Sequence, residues 1–142
     1  MANITLYTLS RGNSHAALTK AAAAATPAEF VREWIIETKP YTGRVQLDLA
    51  RLQAQGGITR EAGIDYQVAR GYNLGRLLID KWNVPDTKDP SKTLPVTQDN
   101  VLDYLPPCVA WMFGLQIETT DLPTANEILA AKNGSGDAGS AT

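Results

Sequence analysis

The chain has 142 residues, 44% of them hydrophobic and 20% charged, with a formal net charge of −2. That length suits one domain able to bury a real core, and that charge excludes a general electrostatic pull toward nucleic acid or an anionic membrane. The lone cysteine, Cys108, excludes an internal disulfide, and no run approaches the ~18–20 apolar residues of a membrane helix.

In chain order, Asn3 to Leu9 alternates, with Ile4 and Leu6 on one face and Thr5 and Tyr7 on the other. Period two predicts a short strand. Arg11-Gly12-Asn13-Ser14 reads as a turn. The stretch from His15 to Ala25 has high helix propensity but little bulk to bury, so it reads as a helix or a connector.

Thr26-Pro27-Ala28-Glu29 has the residues of a helix start, with threonine as N-cap, proline in the first turn and glutamate completing a capping box. Phe30, Val31, Trp34 and Ile35 then fall at helical spacing, opposite Glu29, Arg32, Glu33 and Glu37. A strand with Phe30, Trp34 and Ile36 on one face competes, but Arg32 interrupts that face. The pattern favours a helix, ended by Pro40.

Thr42 is placed to cap the next helix, with Val45, Leu49 and Leu52 on its apolar stripe and Gly56-Gly57 as its stop. Thr59 opens a longer predicted helix whose stripe runs Ile64, Val68, Tyr72, Leu78, Ile79, Trp82. Gly71 and Gly75 lie on or beside that stripe. Each costs about 1 kcal/mol against alanine in a helix interior, a cost that close approach of another backbone would offset.

Asn83 to Leu94 is turn-forming. Thr97 caps a short helix with Asp99 in its first turn and Val101, Leu102 and Leu105 expected to face inward. Pro106-Pro107 break that helix. Cys108 to Ile117 is the most apolar segment and should pack centrally. Pro123 to Lys132 fits a last helix, and Asn133 to Thr142 lacks the apolar residues needed to order a tail.

The chain therefore reads as mainly α. It divides into an N-terminal strand and alanine-rich segment (1–26), a single helical domain (27–132) with at most a small β element ahead of it, and a disordered tail (133–142).

Chemistry-bearing motifs are sparse. His15 is the only histidine and has no Cys or His at metal-ligand spacing; Cys108 sits in an apolar run, where cysteine is ordinarily inert packing. Asp80, Asp86, Asp89, Asp99 and Asp103 do not match a calcium loop. No phosphate-binding glycine motif occurs, and the arginines do not share a face with stacking aromatics. These readings predict no catalytic, cofactor-binding or metal-binding residue, no nucleic-acid partner and no membrane partner. Trp34, Trp82 and Trp111 are core candidates that also suit interface anchors. Trp82, at a helix end beside a loop, is expected to be the most exposed of the three.

Leu78, Ile79, Trp82, Asn83 and Asp86, followed by Leu94-Pro95-Val96-Thr97, Asn100 and Leu105-Pro106, form a recognisable series. It resembles the C-terminal half of the tail assembly chaperones of long-tailed bacteriophages. In that family a helix runs into a tryptophan-asparagine pair, an aspartate-bearing loop follows, and a proline-led cap starts a helix that ends in Leu-Pro. Tyr41-Thr42-Gly43-Arg44 resembles the family's lead-in to its first main helix. The resemblance spans roughly Phe30 to Leu122 and departs from the family where Thr87-Lys88-Asp89-Pro90 replaces an Asp-Gly pair.

The resemblance implies a strand ahead of Thr42, against the helix favoured by the residue pattern. It also implies a cofactor-free binding protein, not an enzyme, that keeps the helical tape-measure protein soluble in the host cytoplasm until the tail tube forms. Self-association and contact with the tail tube protein would follow. Many such chaperones occur in two lengths through a ribosomal frameshift, which here would fall near Ala131-Lys132-Asn133. Candidate client-binding residues are Trp34, Tyr72, Trp82, Asn83, Pro95 and Trp111. The alternative is a structural tail or head-completion component that stays in the virion.

Overall fold

The computed structural model describes residues 2–12 and 14–120. These form a four-stranded antiparallel sheet and five α-helices, a mixed α/β fold that corrects the mainly α expectation. The strands are β1 (Ala2–Arg11), β2 (Ser14–Leu18), β3 (Val31–Thr38) and β4 (Ile79–Trp82), in the spatial order β2-β1-β3-β4. The helices are α1 (Lys20–Ala24), α2 (Gly43–Gly56), α3 (Ile64–Leu78), α4 (Gln98–Tyr104) and α5 (Pro107–Thr120). The predicted helix at Pro123–Lys132 and the tail beyond it lie outside the described residues.

The alternation in β1 extends as predicted, with Ile4, Leu6 and Thr8 buried. Gly12, at φ +59°, turns the chain into β2. His15 to Leu18 is thus strand, and only Lys20–Ala24 of the alanine-rich stretch is helical.

The largest correction concerns Phe30 to Thr38. The cap signal at Thr26–Glu29 yields one 3-10 turn, Ala28–Phe30, and β3 follows at once. β3 lies between β1 and β4, so its amides pair on both sides, and this ladder outweighs local helix propensity. Trp34, Ile36 and Thr38 point into the core. Arg32, whose charge reads as a break in this face, covers it: its guanidinium carbon stands 3.8 Å from the centroid of the Trp34 ring. The stem of a cation can therefore occupy the apolar face of a strand without interrupting it.

A second correction falls at the end of α3. The predicted helical stripe ran on to Trp82, but the helix ends at Leu78 and Ile79–Trp82 is a strand. Ile79 and Trp82 are both buried although three residues apart, which strict alternation forbids. Ile79 faces Thr38 while Lys81 faces Glu37, so Asp80 is the extra residue of a bulge, and the bulge returns Trp82 to the inner face.

The glycine reading holds at Gly71 but is corrected at Gly75, where a Cβ would meet the side chains of Val101 and Ile79 and no backbone. A Cβ at Gly71 would fall inside the Ala110 carbonyl, and one at Gly114 would lie 3.1 Å from Gly71 Cα. α3 and α5 therefore meet backbone to backbone at this crossing. α5 brings Val109, Ala110, Phe113 and Ile117 into full burial, in one core with Ile4, Leu6, Trp34 and Ile36 of the sheet and Leu74 and Leu78 of α3. Thr42 caps α2 as predicted, its Oγ1 accepting from Val45 N, and Gly57 ends that helix at φ +69°. α3 starts later than expected, at Ile64, after a 3-10 turn over Arg60–Ala62. No helix among the described residues is long and apolar enough to cross a membrane.

Candidate functional site

The segment from Trp82 to Thr97 is an ordered arm. The Trp82 indole donates to the Leu94 carbonyl at 2.7 Å, and Leu94 N returns a bond to the Val84 carbonyl at 2.8 Å. Asp86 N donates to the Lys92 carbonyl, which closes the arm on itself. Asp89 accepts from both the amide and the hydroxyl of Ser91, a local turn that suits this residue pair. Asn83 continues β4 with its side chain: its Oδ1 accepts from Ile35 N at 3.0 Å and its Nδ2 donates to the Glu33 carbonyl at 2.8 Å.

The arm delivers the chain to α4. Thr97 Oγ1 accepts from Asn100 N at 3.1 Å, and Asn100 Nδ2 donates to the Pro95 carbonyl at 2.8 Å. This double tie sets the rotation of a helix only seven residues long. Val101 and Leu105 are buried by it, but Leu102 points outward, 45% exposed, and so does Tyr104, 39% exposed. The expectation that Leu102 faces the core is corrected: with Val101 and Leu105 turned inward, Leu102 lies about 100° further around the helix, toward solvent.

Leu102 stands between two adjoining cavities. One, of about 550 Å³, is lined by His15, Tyr72 and the chain from Leu102 to Pro107. The other, of about 420 Å³, lies between α2 and α3 and is lined by Leu52, Gly56, Ala69, Tyr72, Arg76 and Leu102, among others. Tyr72 and Leu102 belong to both, so the two form one groove across α2, α3 and α4. Tyr72 braces it, its hydroxyl donating to the Leu105 carbonyl at 2.6 Å. Burial, and secondarily the nearby Cys108, hold the Tyr72 phenol above its ordinary pKa.

A polar chain borders the groove. Asn73 donates to Gln53, Arg76 Nη1 donates to Asn73 at 3.2 Å, and Arg76 Nη2 donates to Gln98 at 3.1 Å. It links the three helices, and Arg76 Nε is left buried without an acceptor. The arrangement is an apolar floor with a hydrogen-bonding rim, suited to binding.

The predicted binding residues divide among these parts. Tyr72 lies in the groove. Trp34 and Trp82 are buried, 1% and 6% exposed, which corrects the expectation that Trp82 is the most exposed tryptophan. That residue is Trp111, which is half-buried. Asn83 and Pro95 are exposed on the arm and are held by the bonds above. The sequence pattern does not mark Leu102, Tyr104 or Leu52 as groove residues. A signal was present at Leu102, which stands about 100° around the helix from Val101 and so at the margin of its inner face.

His15 and Cys108 are not brought into a recognisable catalytic arrangement. His15 Nδ1 is 2.8 Å from Ser10 Oγ, which is 3.0 Å from Thr8 Oγ1, and Thr8 Oγ1 accepts from the buried Trp34 indole at 2.9 Å. This chain satisfies the one polar atom of Trp34 inside the core. Burial and the charge of Arg32 lower the His15 pKa, and burial pushes the Cys108 thiol up. Among the described residues no group of three or more His, Cys, Asp or Glu is placed to hold a metal ion. Comparison with family models, with curated proteins and with solved structures gives no match for this chain.

Proposed function

We propose that this protein is a tail assembly chaperone of a long-tailed bacteriophage, which binds a helical segment of the tape-measure protein in the groove across α2, α3 and α4. The observation that carries the reading is the pair of outward apolar side chains, Leu102 and Tyr104, beside Tyr72 on a groove with a polar rim. An amphipathic helix is recognised by such a surface, its apolar stripe on the floor and its flanks on the rim. The strand at Val31–Thr38 adds support, since the family resemblance implied one there. The arm answers to the same purpose: it fixes the rotation of α4, and with it the direction of Leu102.

The test is co-expression with the tape-measure protein encoded beside this chain, followed by purification and titration. Wild type should keep the client soluble and copurify with it. Leu102→Asp combined with Tyr104→Ser should weaken binding at least tenfold, since burying one leucine contributes roughly 1.5–3 kcal/mol and tenfold is about 1.4 kcal/mol. Equal binding by the folded variant would remove the groove from the proposal. Recovery of the protein in purified virions would favour the structural-component alternative.

A further inference from the structure

β1 is longer than the partner on its outer side. Tyr7–Arg11 pair with β2, whereas Ala2–Leu6 pair with β3 alone. Ile35, the partner of Thr5, directs its N–H and C=O to Asn83 and away from β1, so Thr5 and Ile35 exchange no backbone bonds and the residues two apart along β1 share that phase. Tyr7, Leu9 and Arg11 therefore direct their amides to β2, and the residues between them direct theirs to β3. The same alternation carried back along β1 aims the N–H and C=O of Asn3 and Thr5 away from β3, where β2 has ended. Beside this open edge lies a cavity of about 620 Å³, walled by Asn3 and Thr5 on the sheet and by Met112 and Leu115 on α5. Leu115 is 37% exposed.

We propose that this edge pairs, antiparallel and centred on Ile4, with the same edge of a second copy of this chain. In that register Asn3 of one copy faces Thr5 of the other, and the two exchange both backbone bonds. Ala2 meets Leu6, and the match ends where β2 takes over at Tyr7. The free stretch is thus self-complementary in length and phase. The strand itself is uncharged across Asn3-Ile4-Thr5-Leu6 and carries no proline, and Lys20 lines the cavity beside it. β4, at the opposite side of the sheet, carries the exposed charges of Asp80 and Lys81.

The twofold axis of such a pair stands perpendicular to the sheet, so α5 of both copies lies on the same side. Met112 and Leu115 of each α5 then meet beneath the joined strands. Five residues of strand fall short of the roughly 1,000 Å² that a specific interface clears, so this apolar contact supplies the remainder. The edge and the client groove share no lining residue, and either proposal can fail without the other.

Sedimentation equilibrium of the full chain, from about 1 to 100 µM, tests the pairing against two variants. Thr5→Pro removes the N–H aimed at the partner and takes none from the β1–β3 ladder. Leu115→Glu places like charges together at the axis. Wild type should dimerise, with hydrogen-exchange protection of the Asn3 and Thr5 amides rising with concentration. Both variants should raise the dissociation constant at least tenfold with an unchanged circular dichroism spectrum, and Leu115→Glu decides alone if Thr5→Pro does not fold. Three results would overturn the proposal: a monomer across the range, a dimer indifferent to the folded variants, or protection of Asn3 and Thr5 that ignores concentration.

Discussion

Replacing Gly71 by alanine adds one methyl group at the point where α3 and α5 touch. The added Cβ would lie 2.5 Å from the Ala110 carbonyl carbon and 3.2 Å from Trp111 N. Both are backbone atoms of a helix, so neither can turn aside. Ordinary contact begins at 3.4 Å, and the Ala110 oxygen is nearer still than the carbon, so the two helices must part by at least about 1 Å. A gap of that size forfeits a quarter to a half of the dispersion along the contact, which includes the fully buried Leu74 and Phe113. Overpacking ordinarily costs about 1–3 kcal/mol, and a clash with rigid backbone belongs at the upper end or beyond. Alanine recovers about 1 kcal/mol through helix propensity. The net expectation is a loss of about 2–3 kcal/mol, or a fall in Tm of roughly 10 °C for a domain of this size. The control is Gly56→Ala, the same chemical change at the last residue of α2, where a Cβ meets nothing within 4 Å. That variant should be neutral or gain up to about 1 kcal/mol. Thermal and urea unfolding followed by circular dichroism measure both. A Gly71→Ala protein as stable as wild type would show that α3 and α5 do not meet at this crossing.

Other outcomes follow from single bonds. Trp82→Phe keeps an aromatic side chain but removes the pyrrole part of the indole and leaves the Leu94 carbonyl without its donor, for an expected loss of about 1–3 kcal/mol and faster amide exchange across the arm. Thr97→Ala removes the cap of α4 and should cost about 1 kcal/mol; if the groove binds the proposed client, the loss should also weaken that binding, because the direction of Leu102 depends on that helix. His15 titrates below the ordinary histidine value of 6.5 in the folded chain, so the unfolded chain takes up protons first as pH falls. The stability this contributes is present above 6.5 and is lost as pH falls through the lower folded value, so urea midpoints should drop between pH about 7.5 and about 5.5. His15→Asn should flatten that part of the profile.

Much of the local structure was legible in the chain. The caps at Thr42 and Thr97, the stop at Gly56-Gly57, the alternation of β1, the centrality of α5 and the close approach at Gly71 all rest on interactions within a turn or two, or on residue size alone. The groove was legible only at Tyr72. Leu102 and Tyr104 acquire their direction from the arm, whose key bond joins Trp82 to Leu94 across twelve residues.

The chain by itself determined where helices start and stop, which segment is most apolar, and where two backbones meet. Tertiary structure decided whether an ambiguous apolar segment is helix or strand. Phe30–Thr38 satisfies both periods, and only the ladders to β1 and β4 select the strand, one of them to a partner more than forty residues away. Ile79 and Trp82 fit a helical stripe equally well, until a bulge at Asp80 lets both face inward from a strand. Arg32 reads as a break in an apolar face until the Trp34 ring beneath it is in place. In each case the deciding partner is distant in sequence, and a pattern read along the chain carries no information about it.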